Sequence, residues 1–449
     1  MALSGIQIFK FLPKTNCGEC GVPTCLAFAM SLAAGKAELA KCPYVSEASK
    51  AALSEASAPP IRTVVIGSGD SAVKVGGETV LFRHEKTFVN RPGLALLLTD
   101  TMEDAEIAAR VKRFGELRYP RVGLILKGEL LAIESKSGDA TKFKALVDKV
   151  KDVPEANFVL IANDVALLKA GAQALAGKKP LLCAATAANI DAVGALAKET
   201  ACPVVVRAES LDGVAALTAK LEAMGVKDIV IDTGSRKIRE AFIDQLALRR
   251  GALSGKNKAW GYPSIVFPNE MTQDPIMESL YAATFVAKYG GIIVLSDFRG
   301  ETLFPILLER LNIYADPQRP MVTEPKVYEI GNVTENSPLL VTSNFALTYF
   351  IVSGEIEASR VGAYLLVVDT EGLSVLTAWA AGKFAGDLVG AALKKSGIAD
   401  RTKNRKVVIP GLAAIISGDL EEELGPDWNV IIGPREASHI VPFLKQMVA

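Results

Sequence analysis

Four cysteines near the start of the chain limit what this segment can fold into. They are Cys17, Cys20, Cys25 and Cys42, and a proline follows the last of them. Thiolates at such spacing can converge on one inorganic centre, and they favour zinc or an iron–sulfur cluster. A short domain around them has little apolar core of its own, so a metal centre would stabilise it.

The spacing favours a [4Fe–4S] cluster over zinc. Structural zinc sites usually have two Cys-x-x-Cys pairs, whereas one such pair is followed here by a wider gap and a distant Cys-Pro. Gly18 and Gly21 lack side chains beside the sulfurs. They leave room and free amides for hydrogen bonds to a cluster, which tune its potential. Zinc stays the alternative.

Charge and composition predict a globular protein without a polyanionic partner. The 449 residues suffice for several domains, half of them are hydrophobic, and 50 Lys and Arg balance 50 Asp and Glu. A net charge of zero disfavours nucleic acid or an anionic membrane as a partner. No apolar run is long enough to span a bilayer, and no signal-peptide pattern precedes the cysteines. With thiols at metal-ligand spacing, we expect a cytoplasmic protein.

The remaining cysteines and the histidines restrict the chemistry. Cys183 and Cys202 are isolated among apolar residues, which predicts buried core thiols. The only imidazoles are those of His84 and His439. A histidine-based zinc hydrolase and a Ser-His-Asp triad are therefore disfavoured.

The first domain is predicted over residues 1–60, and its helices are short. We expect them over residues 6–12, 24–35 and 46–57, with Pro59–Pro60 as a linker to the next domain.

A TIM (β/α)8 barrel with an N-terminal β-ribbon is predicted over residues 61–316. The ribbon strands are Ile61–Ile66 and Val73–Phe82, with glycines at the turns. Eight apolar strand-like runs then alternate with helix-length stretches, which is the count of such a barrel. The runs are Leu94–Leu98, Val122–Leu126, Phe158–Ala162, Pro180–Ala184, Pro203–Val206, Asp228–Ile231, Ser264–Phe267 and Gly291–Leu295. A doubly wound open sheet is the alternative, but no Gly-rich phosphate loop follows the first run.

Polar residues follow the predicted barrel strands, at the end where barrel enzymes carry their chemistry. They include Asp100, Asn163, Asp232 and Asn269. Residues of these types at such places usually cap the following helix. Capping is the favoured interpretation, and a catalytic barrel is the alternative.

A Rossmann-like α/β domain is predicted over residues 317–449, and the prolines at 317, 320 and 325 mark a linker at its start. Its strands are expected at Leu339–Val341, Ala363–Asp369, Lys406–Pro410 and Trp428–Ile432. Ligands bind beyond the carboxyl ends of such strands, and here small or polar residues precede a helix at each end. The strand ends therefore predict a ligand site, and the absence of a GxGxxG motif argues against a dinucleotide.

The segment Phe11–Ala29, together with Cys42-Pro43-Tyr44, resembles the cluster domain of one protein family. This family is the large (gamma) subunit of the corrinoid iron–sulfur protein of the acetyl-CoA decarbonylase/synthase pathway. By domain order the resemblance extends to the whole chain. It implies an α/β multidomain protein with a small N-terminal [4Fe–4S] domain, a structural central barrel and a C-terminal cobamide-binding domain.

The resemblance implies a corrinoid methyl carrier in the acetyl-CoA pathway of carbon fixation, a subunit of a methyltransferase system. Its cobalt(I) would accept a methyl group from methyltetrahydrofolate or methyltetrahydrosarcinapterin through a partner methyltransferase. It would then pass the methyl group to the nickel centre of acetyl-CoA synthase. The cluster would reduce cobalt(II) back to cobalt(I), and a smaller subunit would complete a heterodimer.

The resemblance and the strand-end placement together indicate the cobamide contacts. They are Thr342, Asn344, Thr348, Thr370, Glu371, Gly372, Leu373, Gly411, Gly433, Pro434 and Ala437. Neither histidine lies in an Asp-x-His-x-x-Gly motif. We therefore expect a base-off cobamide without a protein histidine ligand, whose cobalt(II) is easier to reduce. The alternatives are a barrel methyltransferase that acts directly on methyltetrahydrofolate and an electron-transfer subunit without a corrinoid.

Overall fold

The computed structural model describes residues 4–33, 37, 39–46, 49–50, 53, 59–121 and 123–448. It contains two units. The first consists of residues 1–81, 88–117 and 128–314, and the second of residues 82–87, 118–127 and 315–449. The domain boundaries given above stay a prediction. Within the described ranges, no helix is both long enough and apolar enough to cross a membrane.

The N-terminal segment begins with two short helices, α1 (Gly5–Phe9) and α2 (Cys25–Ala33). Ser4 and Gln7 form a capping box at the start of α1, which satisfies two otherwise free amides. Both helices were predicted, although the expected end of the second at Gly35 lies outside the described residues. The helix predicted over residues 46–57 also lies largely outside them.

A short antiparallel ribbon follows, formed by β1 (Val64–Ile66) and β2 (Val73–Val75). Side chains alternate across a strand, so Val64 and Ile66 point inward and are fully buried. They belong to the same apolar cluster as the inward side chains of the barrel. The predicted ribbon is present, but its strands are shorter than expected.

The central body is a barrel of parallel strands. After β3 (Gly93–Thr99) the chain forms a separate antiparallel hairpin of β4 (Tyr119–Arg121) and β5 (Leu124–Leu126), and then returns to the barrel. The other barrel strands are β6 (Leu130–Glu134), β7 (Asn157–Ile161), β8 (Leu181–Ala185), β9 (Val204–Arg207), β10 (Ile229–Asp232), β11 (Ile265–Val266) and β12 (Ile292–Leu295).

Neighbouring barrel strands pair in chain order, and β12 pairs with β3. A single parallel bridge between Ile231 and Ser264 joins β10 to the start of β11 and completes the ring. The predicted (β/α)8 barrel is therefore confirmed, and the open sheet is not formed. Cys183 and Cys202 are buried as predicted.

Eight helices cover the outside of the barrel, and their apolar faces are turned towards the strands. They are α3 (Asp104–Glu116), α4 (Ala140–Val150), α5 (Val165–Ala174), α6 (Ile190–Thr200), α7 (Leu211–Ala223), α8 (Ile238–Leu253), α9 (Pro275–Ala287) and α10 (Gly300–Ile313).

The predicted second barrel strand, Val122–Leu126, is wrong. The second barrel strand is β6, and the earlier run supplies β5 of the hairpin, where Leu124 and Ile125 are 39% and 51% exposed. A barrel strand is covered on both faces, and Leu130 to Ile133 are each fully buried. Two apolar runs lie close together in this part of the sequence. Only the second, which forms β6, is shielded from water on both faces.

The second unit contains a five-stranded sheet with helices around it. Its strands are β13 (Val327–Ile330), β14 (Leu339–Ser343), β15 (Ala363–Val368), β16 (Lys406–Ile409) and β17 (Asn429–Ile432). Its helices are α11 (Ala346–Ser359), α12 (Val375–Ala380), α13 (Gly386–Lys395), α14 (Ser417–Leu424) and α15 (Ile440–Val448).

The strand order is β13-β15-β14-β16-β17. The four predicted strands are parallel, which confirms the Rossmann-like layout. Two details differ from the prediction. β13 is an antiparallel edge strand that pairs with β15, and the single helix expected over residues 373–395 is divided into α12 and α13, with Gly382 at a positive φ of 70° between them.

Asp100 is one of the polar residues that follow a barrel strand, and its role is to hold a neighbouring loop. Its carboxylate follows β3 and accepts hydrogen bonds from the amides of Lys136 and Ser137, both at 2.9 Å. The hydroxyls of Ser135 and Ser137 add bonds of 3.0 and 2.6 Å. Asp100 thus fixes the loop that follows the neighbouring strand β6. Burial alone would raise its pKa, but these four bonds outweigh burial and lower it.

We expect Asp100→Asn to lower the free energy of unfolding by about 1–3 kcal/mol at pH 7, because two loop amides lose a charged acceptor. A carboxylate with a lowered folded-state pKa stabilises the fold above its unfolded pKa of about 3.9, and this stabilisation is lost as the pH falls. The difference between the two proteins should therefore shrink below about pH 4. Urea unfolding at pH 7 and at about pH 3 measures it.

Asp70→Asn is the matched control, since Asp70 is an exposed carboxylate in the short turn between β1 and β2. An equal loss of stability in the control, or none in Asp100→Asn, would contradict this role.

Candidate functional site

A cavity of about 280 Å³ lies at the carboxyl end of the sheet in the second unit. The ends of β14, β16 and β17 and the first turns of α11 and α12 form its walls. The walls are mostly apolar. Hydroxyl groups come from Thr342, Thr348 and Ser374, and Arg435 is the one charged residue among the described residues that line the cavity. Walls of this kind suit a mostly apolar ligand surface with a few polar contacts.

Thr342 carries the strongest sign that this cavity takes a ligand. The residue is 1% exposed, and its Oγ1 atom has no hydrogen-bond partner. A buried hydroxyl without a partner costs about 1–3 kcal/mol, so native structures rarely leave one. Thr342 is the last residue but one of β14 and lines the cavity. A polar group of a ligand would satisfy it.

Asn344 fixes the loop at the neighbouring strand end. Its Oδ1 accepts hydrogen bonds from the Thr370 amide at 3.0 Å, the Thr370 hydroxyl at 2.8 Å and the Gly372 amide at 2.9 Å. Its Nδ2 donates to Asp369 at 2.9 Å. Asn344 is 3% exposed. The hydrogen bonds of its side chain are therefore made within the protein. They shape the site by holding the loop after β15 to the end of β14.

Two predicted glycines allow a close approach of backbone segments. A Cβ atom on Gly411 would lie 2.4 Å from the carbonyl oxygen of Gly433 and 2.9 Å from the amide of Arg435. A Cβ atom on Gly433 would lie 2.8 Å from Cγ1 of Val408. The loops after β16 and β17 can touch only because both side chains are absent, and this contact forms one wall of the cavity.

Five of the predicted contact residues line the cavity, namely Thr342, Thr348, Gly433, Pro434 and Ala437. The other six do not line it, and they are Asn344, Thr370, Glu371, Gly372, Leu373 and Gly411. Glu371 is exposed and forms an ion pair with Lys383. Gly372 has a φ of 79°, and a Cβ atom there would lie 2.7 Å from Pro320.

Sequence reasoning missed the wall that the helices supply. Ile351 of α11, Leu376 of α12 and Leu412 line the cavity and are each about half exposed. Strand ends can be located from the sequence, but helix side chains reach the cavity only through packing. One signal for this wall was available in the sequence. Leu347 and Ile351 are apolar, lie four positions apart on one face of α11 and are both exposed.

The four N-terminal cysteines form the second candidate site. All are free thiols, with Cys25 and Cys42 buried, Cys20 half-buried and Cys17 exposed. Cys25 and Cys42 belong to one apolar cluster, and Cys20 packs against it. Within the described ranges, no three His, Cys, Asp or Glu side chains converge closely enough to hold a metal ion. The structure thus brings three of the thiols into one neighbourhood but does not arrange all four around a point.

Local hydrogen bonds order the cysteine loop. The Cys25 amide, at the start of α2, donates to Oδ1 of Asn16 at 2.8 Å. The Tyr44 hydroxyl donates to Glu19 at 2.7 Å, which links the segment after Cys42 to the loop between Cys17 and Cys20. This bond, together with the charge of Glu19, raises the pKa of Tyr44. Gly18 and Gly21 both have positive φ angles, 77° and 85°, with open space where a Cβ would lie.

The chain matches two family models. Residues 63–444 match the CO dehydrogenase/acetyl-CoA synthase delta subunit family. Residues 12–44, which include all four cysteines, match a putative Fe-S cluster family.

Among curated proteins, the corrinoid/iron-sulfur protein large subunit of Moorella thermoacetica is 45% identical over 449 residues, with 100% of each chain covered. The acetyl-CoA decarbonylase/synthase complex subunit gamma of Methanopyrus kandleri is 35% identical and covers 99% of the chain and 98% of its own length. Subunit gamma 2 of Methanosarcina thermophila is 38% identical, with 97% of each covered. A dihydropteroate synthase of Yersinia pestis covers 52% of this chain and 100% of its own at 15% identity, but its TM-score of 0.37 is too low to support an argument.

We expect Gly411→Ala to lower the free energy of unfolding by about 1–3 kcal/mol, because the new methyl group overlaps the backbone of residues 433–435. Gly418→Ala is the control. Gly418 lies in α14 with nothing within 4 Å of its Cβ position, so alanine there is neutral or adds up to about 1 kcal/mol. Thermal and urea unfolding compare them. Equal stability of both variants and the wild type would show that the two loops are not in contact.

Proposed function

This chain belongs to the family of corrinoid/iron-sulfur protein large subunits and acetyl-CoA decarbonylase/synthase gamma subunits, and from this membership we propose that it is a corrinoid-dependent methyl carrier. In this proposal the second unit holds a cobamide and the N-terminal cysteines hold a [4Fe–4S] cluster. The full-length likeness to a protein named for both groups supports the two cofactors together.

The residues of the cavity fit a cobamide, which has a broad apolar ring system with amide groups at its edge. The apolar walls and the half-exposed Ile351, Leu376 and Leu412 suit the ring, and the partnerless hydroxyl of Thr342 suits an amide. Thr348 and Ser374 supply further hydroxyls, and Arg435 supplies a fixed positive charge. When bound, the corrinoid supplies the cobalt that accepts a methyl group and gives it up again.

Among the described residues that line this cavity, none is a strong lower ligand for cobalt. Neither histidine is among the residues that line it. His84 stacks on Phe82 at 5.6 Å between ring centroids, and His439 is exposed in the short helix before α15. Hydroxyls and a guanidinium are poor ligands for cobalt compared with imidazole. This donor set supports the base-off state without a protein histidine.

Cys17, Cys20, Cys25 and Cys42 are the proposed ligands of the [4Fe–4S] cluster. Four free thiols in one short segment have the ligand chemistry of such a cluster. When bound, the cluster supplies the electron that returns oxidised cobalt to its active state. Gly18 and Gly21 keep space open beside the sulfurs, and the Asn16 side chain holds the amide of Cys25.

The route of the methyl group and the partners complete the proposal. The donor is methyltetrahydrofolate or a related methylated pterin, used through a partner methyltransferase, and the acceptor is the nickel centre of acetyl-CoA synthase. A smaller subunit is the proposed permanent partner, since the relative in Moorella thermoacetica is named a large subunit.

One observation carries the cobamide part: an apolar cavity at a strand-end edge contains a fully buried hydroxyl without a partner. Purified protein from a corrinoid-supplied host should contain about one cobalt and about four iron atoms per chain. Cobalt(II) in it should show an EPR spectrum without nitrogen coupling from a lower ligand. Metal analysis and EPR spectroscopy of the same sample measure both.

Cys42→Ala should lose iron and keep cobalt, whereas Cys202→Ala, in the barrel, should keep both. Protein that contains iron but no cobalt would refute the carrier and favour a plain electron-transfer subunit. Methyl transfer from methyltetrahydrofolate to a free corrinoid by the isolated chain would favour a barrel methyltransferase instead.

We expect Thr342→Val to retain cobamide about 5- to 10-fold less tightly, since the contact to the ligand loses about 1–1.5 kcal/mol. The cofactor-free protein should be as stable as the wild type or more stable, because the variant removes a partnerless buried hydroxyl. Equilibrium binding of cobamide and the melting temperature of the cofactor-free form measure the two effects.

Thr323→Val is the matched control, because Thr323 is 4% exposed, also has a partnerless Oγ1 and does not line the cavity. It should stabilise the cofactor-free protein without changing cobamide affinity. Unchanged affinity in Thr342→Val would remove this residue from the site.

A further inference from the structure

The mouth of the barrel contains a second cavity, of about 580 Å³, that the methyl-carrier proposal does not use. It lies at the carboxyl ends of the barrel strands, where barrel proteins bind small molecules. In contrast to the cavity of the second unit, it is lined largely by charged and polar side chains. A purely structural barrel has no need for so many charges around one open space.

Four cations line this mouth, and three of them have carboxylate partners. Arg110 pairs with Glu106 at 2.7 Å, and Lys136 lies 3.6 Å from Glu134. Arg236 pairs with two carboxylates.

Arg207 differs from the other three. It lies at the end of β9, and its one described polar contact is the Oδ1 atom of Asn163, at 3.2 Å. Among the described residues, no carboxylate lies within ion-pair distance of its guanidinium. A positive charge that faces a cavity without an acidic partner attracts an anion.

Arg236 forms a rigid planar wall. Its guanidinium pairs with Asp232 at 2.9 Å and with Glu270 at 2.5 Å, and its Cζ lies 4.5 Å from the ring centroid of Phe267. Asp232 is 1% exposed, so this pair is held deep in the mouth. A flat guanidinium fixed in this way stacks well on a planar conjugated ligand.

Among the described residues, two buried side-chain atoms of the mouth lack a hydrogen-bond partner. Oδ1 of Asn269 is buried and accepts no hydrogen bond, and Nε of Arg110 is buried and donates none. Both residues line the cavity. An unsatisfied buried acceptor costs about 1–3 kcal/mol, and an N–H group of a ligand would remove this cost.

Arg207, whose charge attracts an anion, and Asn269, whose Oδ1 atom accepts no hydrogen bond, lie on the same side of the mouth. Arg207 is the register partner of Asp232 on the neighbouring strand β10, and β10 joins β11 through the bridge of Ile231 and Ser264. Asn269 follows β11 in a short helix of residues 268–270. The two groups are thus two strands apart, or about 10 Å between strand axes, which long side chains reduce to the width of a small ring system.

We propose that the barrel mouth binds a planar small organic anion that carries an N–H donor. The anionic group lies at Arg207, the N–H group donates to Asn269 and the ring stacks on the Arg236 guanidinium. The site shares no lining residue with the cobamide cavity and contains none of the four N-terminal cysteines, and no reaction is assigned to it.

Three probes separate the parts of this site. Orotate is planar and has both a carboxylate and N–H groups, uracil lacks the carboxylate and benzoate lacks the N–H groups. Isothermal titration calorimetry of the full-length protein, in its complex and with its metals, should show saturable orotate binding. Its affinity should exceed those for uracil and benzoate by about fivefold or more, the equivalent of one hydrogen bond.

Variants assign the contacts. Arg207→Gln should weaken orotate binding about tenfold without changing uracil binding. Asn269→Leu should weaken orotate and uracil binding and leave benzoate unchanged. Arg250→Gln, an exposed arginine in the last turn of α8, is the control and should change none of them.

The cobalt and iron contents should be unchanged in all three variants, so this test fails or succeeds separately from the methyl-carrier proposal. No saturable binding of any probe would overturn the inference. Equal affinities for the three probes, or wild-type affinity for orotate in both Arg207→Gln and Asn269→Leu, would also overturn it.

Discussion

Parallel pairing of strands is the constraint on which both candidate cavities depend. Parallel strands bring all their carboxyl ends to one edge, so residues far apart in the chain become neighbours there. In the second unit this places Thr342, at the end of β14, beside the loop that contains Gly433. In the barrel it gathers Arg207, Asp232 and Asn269 at one mouth. One geometric rule therefore yields two recesses, and side-chain chemistry alone makes them different.

The two edges use their polar groups in opposite ways. At the edge of the second unit, the Asn344 amide satisfies the backbone of the following strand end, so one side chain fixes a wall and leaves the rest apolar. At the barrel mouth, Asp100 has the same bracing role towards the loop after β6. At the same mouth, the Oδ1 atom of Asn269 has no hydrogen-bond partner, and the described polar contact of Arg207 is to an uncharged amide. Bracing and recognition are thus divided between residues of the same chemical types.

The sequence allowed the barrel, the Rossmann-like unit and most strand ends to be predicted, because strand alternation and helix-length spacing depend on local pattern. The prediction of a barrel strand at Val122–Leu126 was wrong, because an apolar run in a hairpin has the same sequence pattern as a strand that is buried on both faces. Asn344 was predicted as a cobamide contact from its place at a strand end, but its hydrogen bonds to the neighbouring loop could not be predicted from the sequence. The cavity wall from Ile351 and Leu376 could not be predicted, because tertiary packing decides which helix faces reach a strand end.

The β4–β5 hairpin affects when the second unit can fold during synthesis. Arg121 lies 4.1 Å from the ring centroid of Phe350, so the hairpin packs with residues that are synthesised long after it. On the ribosome, the hairpin must wait for the whole barrel sequence to emerge before its partner exists. A fragment excised at residue 315 would also lack this contact and would expose the face of α11 that Arg121 covers. A stable isolated unit therefore needs the hairpin grafted back onto it.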